Sequence, residues 1–216
     1  MSVPLAFAAA AVMAGAAHAA ATLDQSNVPG TGLMPFDWAG TSLSSGYVLG
    51  QTFTVGVTGQ LTRVDLAILG SSAVVDAGGF TVSIEKQPGV SLGSGHVDLS
   101  TVSHSLFTDW SAIPQIDLSG FDIQVVASES YRIILTVDPG TDAGFTGWLT
   151  NGPAPFTYDG GAALAFTPQG EFVQPSLDYG FRTYVATPEP GTWALLTLGF
   201  GVSGALLRRR RAVIAG

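Results

Sequence analysis

The sequence predicts an all-β protein, an antiparallel β-sandwich of jelly-roll type. Three observations lead there. Between residues 22 and 187 apolar side chains recur at every second position. No 3.6-residue apolar stripe of ten or more residues interrupts that period. The connectors between the periodic runs are short and rich in Gly, Pro and Ser.

In the first run Phe53, Val55 and Val57 alternate with Thr52, Thr54 and Gly56; in the second Val64, Leu66 and Ile68 alternate with Arg63, Asp65 and Ala67. Each run therefore predicts one buried and one wetter face. The pattern returns in Phe80-Val82-Ile84, Ile123-Val125-Ala127 and Tyr131-Ile133-Leu135-Val137, with shorter candidates at 96–102, 145–150, 162–166 and 179–185. About nine strands result. Thr58-Gly59 and Ser128-Glu129-Ser130 join successive runs, and Pro88-Gly89 and Pro139-Gly140 suit positions i+1 and i+2 of type II turns. Links this short predict antiparallel neighbours, because a parallel pair needs a crossover of about a dozen residues. One sandwich domain, residues 22–186, is expected.

Composition narrows the function. The chain has 216 residues, 46% hydrophobic and 11% charged, enough apolar material for a packed core. Residues 22–187 hold only Arg63, Lys86, Arg132 and Arg182 against fifteen acids, a net charge of −11. Nucleic acid is excluded as a partner, since binding it requires a basic surface. Zero cysteines remove disulfides, thiolate metal sites and cysteine nucleophiles together.

The two ends carry different signals. Residues 5–17 are uncharged and apolar, and Ala17-His18-Ala19 follows as an A-x-A cleavage pattern, so residues 1–19 read as a signal peptide. At the other end Thr187 is followed by Pro188-Glu189-Pro190, then by fifteen uncharged residues from Trp193 to Leu207, then by Arg208, Arg209, Arg210 and Arg211. Fifteen helical residues rise about 22 Å, a short membrane span. Trp193 suits the headgroup zone, and four arginines stay cytoplasmic under the positive-inside rule, which turns the body outward.

Pro188, Glu189 and Pro190, the short apolar helix and the arginine cluster together resemble the PEP-CTERM sorting signal over residues 188–216. The resemblance implies a protein exported by a Gram-negative bacterium and processed by exosortase, a membrane transpeptidase that would read Pro188, Glu189 and Pro190. It implies a membrane-anchored precursor and then a place at the cell surface or in the extracellular matrix. A second resemblance is one of strand pattern. Gly50-Gln51-Thr52-Phe53-Thr54-Val55, with Gly59 to Leu66 after it, is similar to the opening of galactose-binding-like jelly rolls, and Asp178 to Val185 is similar to their closing strand.

For the body, three function classes compete. A non-enzymatic interaction or structural role at the surface is the leading expectation. A carbohydrate-binding module acting on exopolysaccharide is the alternative, because Trp148, Asn151, Phe156 and Tyr158 combine rings for stacking on sugar with polar groups for hydroxyls. A secreted hydrolase is third. Asp117 with Asp122, or Asp138 with Asp142, would be its carboxylate pair, but Asp also gathers at turns. His96 and His104 are the histidines left after leader removal, and no G-x-S-x-G nucleophile elbow is present. No cofactor is expected; calcium is the one metal entertained, at Asp138, Asp142 and the carbonyls near Gly140.

Overall fold

The computed structural model describes residues 20–27, 39–44, 46–69, 78–102, 113–151, 158–175, 177–187 and 199–200. The chain divides into two units, one of Ala21–Thr187 and one of Met1–Ala20 with Pro188–Gly216. Ala21–Thr187 is all-β and contains β1 Ala21–Asn27, β2 Ala39–Ser44, β3 Val48–Thr54, β4 Gly59–Leu66, β5 Ile68–Leu69, β6 Gly79–Gln87, β7 Val90–Asp98, β8 Gln115–Asp117, β9 Ile123–Val125, β10 Ser130–Val137, β11 Asp142–Asn151, β12 Ala163–Thr167, β13 Gly170–Gln174, β14 Asp178–Tyr179 and β15 Phe181–Ala186. Eight of the nine expected strands are among them, and the ninth, expected at 96–102, is strand only to Asp98, where β7 ends and a 3-10 turn, Leu99–Thr101, follows. The six additions, β1, β2, β5, β8, β13 and β14, are mostly short or lack strict alternation.

Every described pairing is antiparallel. One sheet runs β1-β15-β4-β8, with β9 also on β4. A second runs β13-β12-β3-β10-β6-β7, and a smaller one runs β14-β11-β2 with β5 on β11. Leu49 and Phe53 of β3, Val82 and Ile84 of β6, and Ile133 and Leu135 of β10 enter one core from the six-stranded sheet. Leu61 and Val64 of β4 and Phe181 and Val185 of β15 enter it from the five-stranded sheet. The sandwich is thus sealed by alternation, as the period-two pattern requires.

Two of the short links behave differently from expectation. β3 lies in the six-stranded sheet and β4 in the five-stranded one, so Thr58-Gly59 sits in a crossing between sheets. Ser128-Glu129 does the same between β9 and β10. These two corners bond to each other: Val55 N–H donates to Glu129 O at 3.0 Å, and Ser128 N–H to Val55 O at 2.7 Å. A short link limits reach but leaves the choice of sheet open. Val57, expected on the buried side, falls in this corner and is exposed.

The two Pro-Gly turns form as expected. Gly89 takes φ +77° between β6 and β7, and Gly140 takes φ +79° in a turn closed by Thr141 N–H to Asp138 O at 3.2 Å. Both angles are those of position i+2 in a type II turn, where glycine carries no Cβ penalty. Asp65 of β4 and Ala67 just after it, expected on the wetter face of that run, are buried. Arg63 covers that face, lying 2.9 Å from Asp65 and 3.8 Å over the Tyr184 ring.

Candidate functional site

The sorting segment leaves the sandwich from β15, a strand held on both sides. Ala186 pairs with Ala21 of β1 and with Gln60 of β4. Thr22 Oγ1 donates to Val185 O at 3.2 Å. Gly59 of β4 lies so close to β15 that a Cβ there would sit 2.4 Å from Ala186 O. One residue, Thr187, separates β15 from Pro188. Both ends of the folded body therefore meet at one place: Ala21, two residues past the expected leader cleavage site, is the register partner of Ala186.

Pro188, Glu189, Pro190, Trp193, Leu207 and Arg208 to Arg211 lie outside the described residues, as do residues 1–19. Gly199 and Phe200, inside the expected apolar helix, are helical. Among the described residues no helix is long and apolar enough to cross a membrane.

β1 is anchored to the body by polar side chains. Asp24 accepts Gly56 N–H at 3.0 Å and Val57 N–H at 2.8 Å. Asn27 Nδ2 donates to Tyr179 O at 2.8 Å, and Gln25 Oε1 accepts the Tyr158 hydroxyl at 2.8 Å. Behind them Gln51 is fully buried, at the inward register position between Leu49 and Phe53. Its Nε2 donates to Asp178 Oδ1 at 2.9 Å and its Oε1 accepts Tyr179 N–H at 2.8 Å. Asp178 Oδ2 accepts Tyr158 N–H at 2.9 Å. A buried polar group is tolerated when it is bonded in this way. Thus the two stretches that carry the jelly-roll resemblance bond directly through Gln51, Asp178 and Tyr179. Burial raises the Asp178 carboxyl above its ordinary range, and these two hydrogen bonds pull it back in part. Burial likewise pushes the Tyr158 phenol up to about 12.

The expected carbohydrate platform does not assemble from Trp148 and Tyr158. Trp148 has no exposed surface; its ring stacks on Tyr179 with centroids 4.4 Å apart, and Nε1–H donates to Gly180 O at 2.9 Å. The alternation of β11 turns it into the core opposite β14. Tyr158 meets Phe181 edge-on at 5.2 Å and spends its hydroxyl on Gln25. Asn151 ends β11 and pairs in register with Asp178. Phe156, Trp38 and Trp110 lie outside the described residues.

The acidic candidates occupy turns and strand ends. Asp138 opens the Pro139-Gly140 turn, and its Oδ2 lies 2.7 Å from His96 Nε2. Asp142 pairs in register with Ser44 at the start of β11. Asp117 Oδ1 accepts Ser119 N–H at 2.9 Å, which lowers its pKa, and Asp122 stands at φ +50° and accepts Gln124 Nε2–H at 2.6 Å. His104 lies outside the described residues. Among the described residues no three His, Asp or Glu side chains gather as metal ligands would.

An ion cluster on the outer face of the six-stranded sheet was not legible as such. Arg132 of β10 is buried there, 3.6 Å from Glu85 of β6 and in contact with Glu171 of β13. Its guanidinium also lies 5.9 Å from the Phe166 ring centroid. The one available signal was alternation itself, which sets Arg132 and Ile134 on the face opposite Tyr131, Ile133 and Leu135.

Comparison with curated proteins finds no match to the chain. Residues 186–211 match the family model of the PEP-CTERM protein-sorting motif, beginning on the last residue of β15. The tail signal read from Pro188-Glu189-Pro190, the apolar run and the arginine cluster is therefore that motif, and the chain carries the C-terminal signal of an exported protein that is sorted and processed by exosortase.

Proposed function

We propose that the exported body, Ala21–Thr187, is a non-enzymatic interaction module and a structural component of the surface or exopolysaccharide matrix of a Gram-negative bacterium. The observation that carries this reading is how the chemistry-bearing side chains are used. Trp148, Tyr158, Gln51 and Asp178 are all bonded to one another's neighbourhoods inside the fold. The Asp117 carboxylate caps a turn, that of Asp138 lies against His96, and Asp24 holds β1. Such groups stabilise a scaffold rather than wait for a substrate. The sorting motif supplies the destination, and the acidic, compact body suits a wet extracellular layer.

The test has two arms. Deleting residues 188–216 should release the body into the medium with its fold intact, as judged by circular dichroism; retention at the cell would refute the sorting role. The intact exported protein should be silent on a glycan array built from the producer's own polysaccharide. Binding that disappears in Asn151→Ala or Phe156→Ala would instead assign a carbohydrate-binding module, and labelling by activity-based probes would assign a hydrolase.

A further inference from the structure

The six-stranded sheet ends in β13, whose one described partner is β12. Its sequence, Gly170-Glu-Phe-Val-Gln174, leaves Phe172 50% and Val173 61% exposed. Exposed sheet edges in soluble proteins are ordinarily blunted by Pro, Lys, a bulge or an unpaired charge, because free N–H and C=O groups template pairing with another chain. β13 has neither Pro nor Lys, and its register with β12 runs from Gln174 to Gly170 without a shift. Its single charge, Glu171, is drawn against the guanidinium of Arg132, a side chain 8% exposed that also faces Glu85. The charge that would repel a neighbour is thereby drawn inward and partly offset, although one guanidinium between two carboxylates leaves the cluster with one net negative charge.

The same five residues are self-complementary. An antiparallel pairing of two copies about Phe172 sets Phe172 opposite Phe172, Glu171 opposite Val173 and Gly170 opposite Gln174. No like charges then face each other, and an aromatic pair occupies the centre, a favourable cross-strand combination. The opposite end of the sheet does not offer an equivalent edge. β7 is displaced twice in its register with β6, and Phe121 and Ile123 lie against its Gly93. Head-to-tail stacking of sheets is disfavoured on that ground, whereas a two-fold pairing of β13 with itself closes.

We propose that β13 is a dimerisation edge, through which a second copy of this chain pairs antiparallel about Phe172 to join the two six-stranded sheets into one. This goes beyond the surface role proposed above and concerns the body alone, so failure of the sorting test leaves it standing. Each body carries −11, so the copies repel at long range and association strengthens as added salt shortens the screening length from about 30 Å at 0.01 M to about 8 Å at 0.15 M.

The absence of cysteine gives a direct test. In the full chain, Phe172→Cys introduces a single thiol at the two-fold position, and Gln169→Cys places one in the preceding exposed turn. Mild oxidation or a short bismaleimide should cross-link Phe172→Cys into a covalent dimer severalfold more than Gln169→Cys. Sedimentation of the wild type should show a dimer that tightens with salt, and Phe172→Asp, which sets two carboxylates face to face, should return it to monomer with unchanged circular dichroism. Equal cross-linking at both positions, a dimer indifferent to Phe172→Asp, or a wild type monomeric at every soluble concentration would each overturn the proposal. Capture of polysaccharide or another protein through Phe172 by a monomer would also overturn it, by giving the edge to a different occupant.

Discussion

Replacing Trp148 by Ala removes the largest fully buried side chain among the described residues and separates the glycan reading from the core reading in one measurement. Truncating a buried Trp or Phe to Ala costs about 3–5 kcal/mol. The offset stack on Tyr179 places this site toward the upper end, since such pairs contribute about 0.5–1.5 kcal/mol beyond burial. Loss of the indole hydrogen bond adds little, because Gly180 O keeps a second donor, Ala67 N–H at 2.8 Å. The expected cost is about 4–5 kcal/mol, about a quarter or more of the roughly 5–15 kcal/mol typical of a domain. With a urea m-value of about 2 kcal/mol/M, the midpoint should fall by about 2 M. Trp148→Phe, which keeps a ring but loses the N–H donor, should cost about 1–2 kcal/mol. Urea titration followed by far-ultraviolet circular dichroism is the suitable assay, because Trp38, Trp110 and Trp193 would confuse fluorescence. A Trp148→Ala cost below about 1 kcal/mol would refute the core placement.

The pH dependence has a definite sign. Burial raises the carboxyl pKa values of Asp24, Asp65 and Asp178 in the fold, so the native state holds protons more tightly than the unfolded chain between the ordinary value of 3.8 and the folded values. Stability contributed by these three falls as pH rises through that window and is regained on acidification; urea midpoints should therefore hold level or rise from pH 7 toward 5, and a steady fall over that interval would contradict the assignment. Asp98, Asp117 and Glu129 work the other way, losing their contribution below their ordinary values, and all three are solvent-facing. Asp24→Ala should cost about 1 kcal/mol by orphaning Gly56 and Val57 N–H, and hydrogen exchange should show the loss first in β1. Gly59→Ala drives a methyl against Ala186 O and should cost about 1–3 kcal/mol in thermal unfolding, with the β4–β15 ladder the first to exchange.

How much was legible follows from what each signal encodes. Alternation encodes faces, so Phe53, Val82, Ile133 and Val185 were readable as core, and the Pro-Gly pairs were readable as turns because Gly at positive φ has one job there. Link length encodes reach but not sheet membership, so the β3–β4 and β9–β10 corners look like hairpins in sequence. Polarity was read as exposure at Asp65, which is buried beside Arg63, and the burial of Gln51 and Asp178 rests on long-range partners that no local pattern carries. Gln51 could have been found from its own strand, since it shares the inward positions with Leu49 and Phe53. Trp148 illustrates the converse: a ring beside Asn, Gly and Pro resembles a binding loop in sequence, while the register of β11 with β14 turns it inward. The sorting motif was legible because it is a linear signal that needs no fold.

The position of β1 ties the fold to the sorting event. β15 is flanked by β1 and β4, and β1 is the first strand after the leader while β15 is the last before the motif. The register pair Ala21 and Ala186 is separated by nearly the whole body, so closing it carries the largest loop-closure entropy of any described pairing. The same seam holds the bonds of Gln25 to Tyr158 and of Asn27 to Tyr179. The strand that completes the sandwich is also the one from which the sorting segment departs, with Thr187 alone between them. The first and last strands of the body therefore share one seam, and a change that frays the β1–β15 pairing loosens both ends of the body at once.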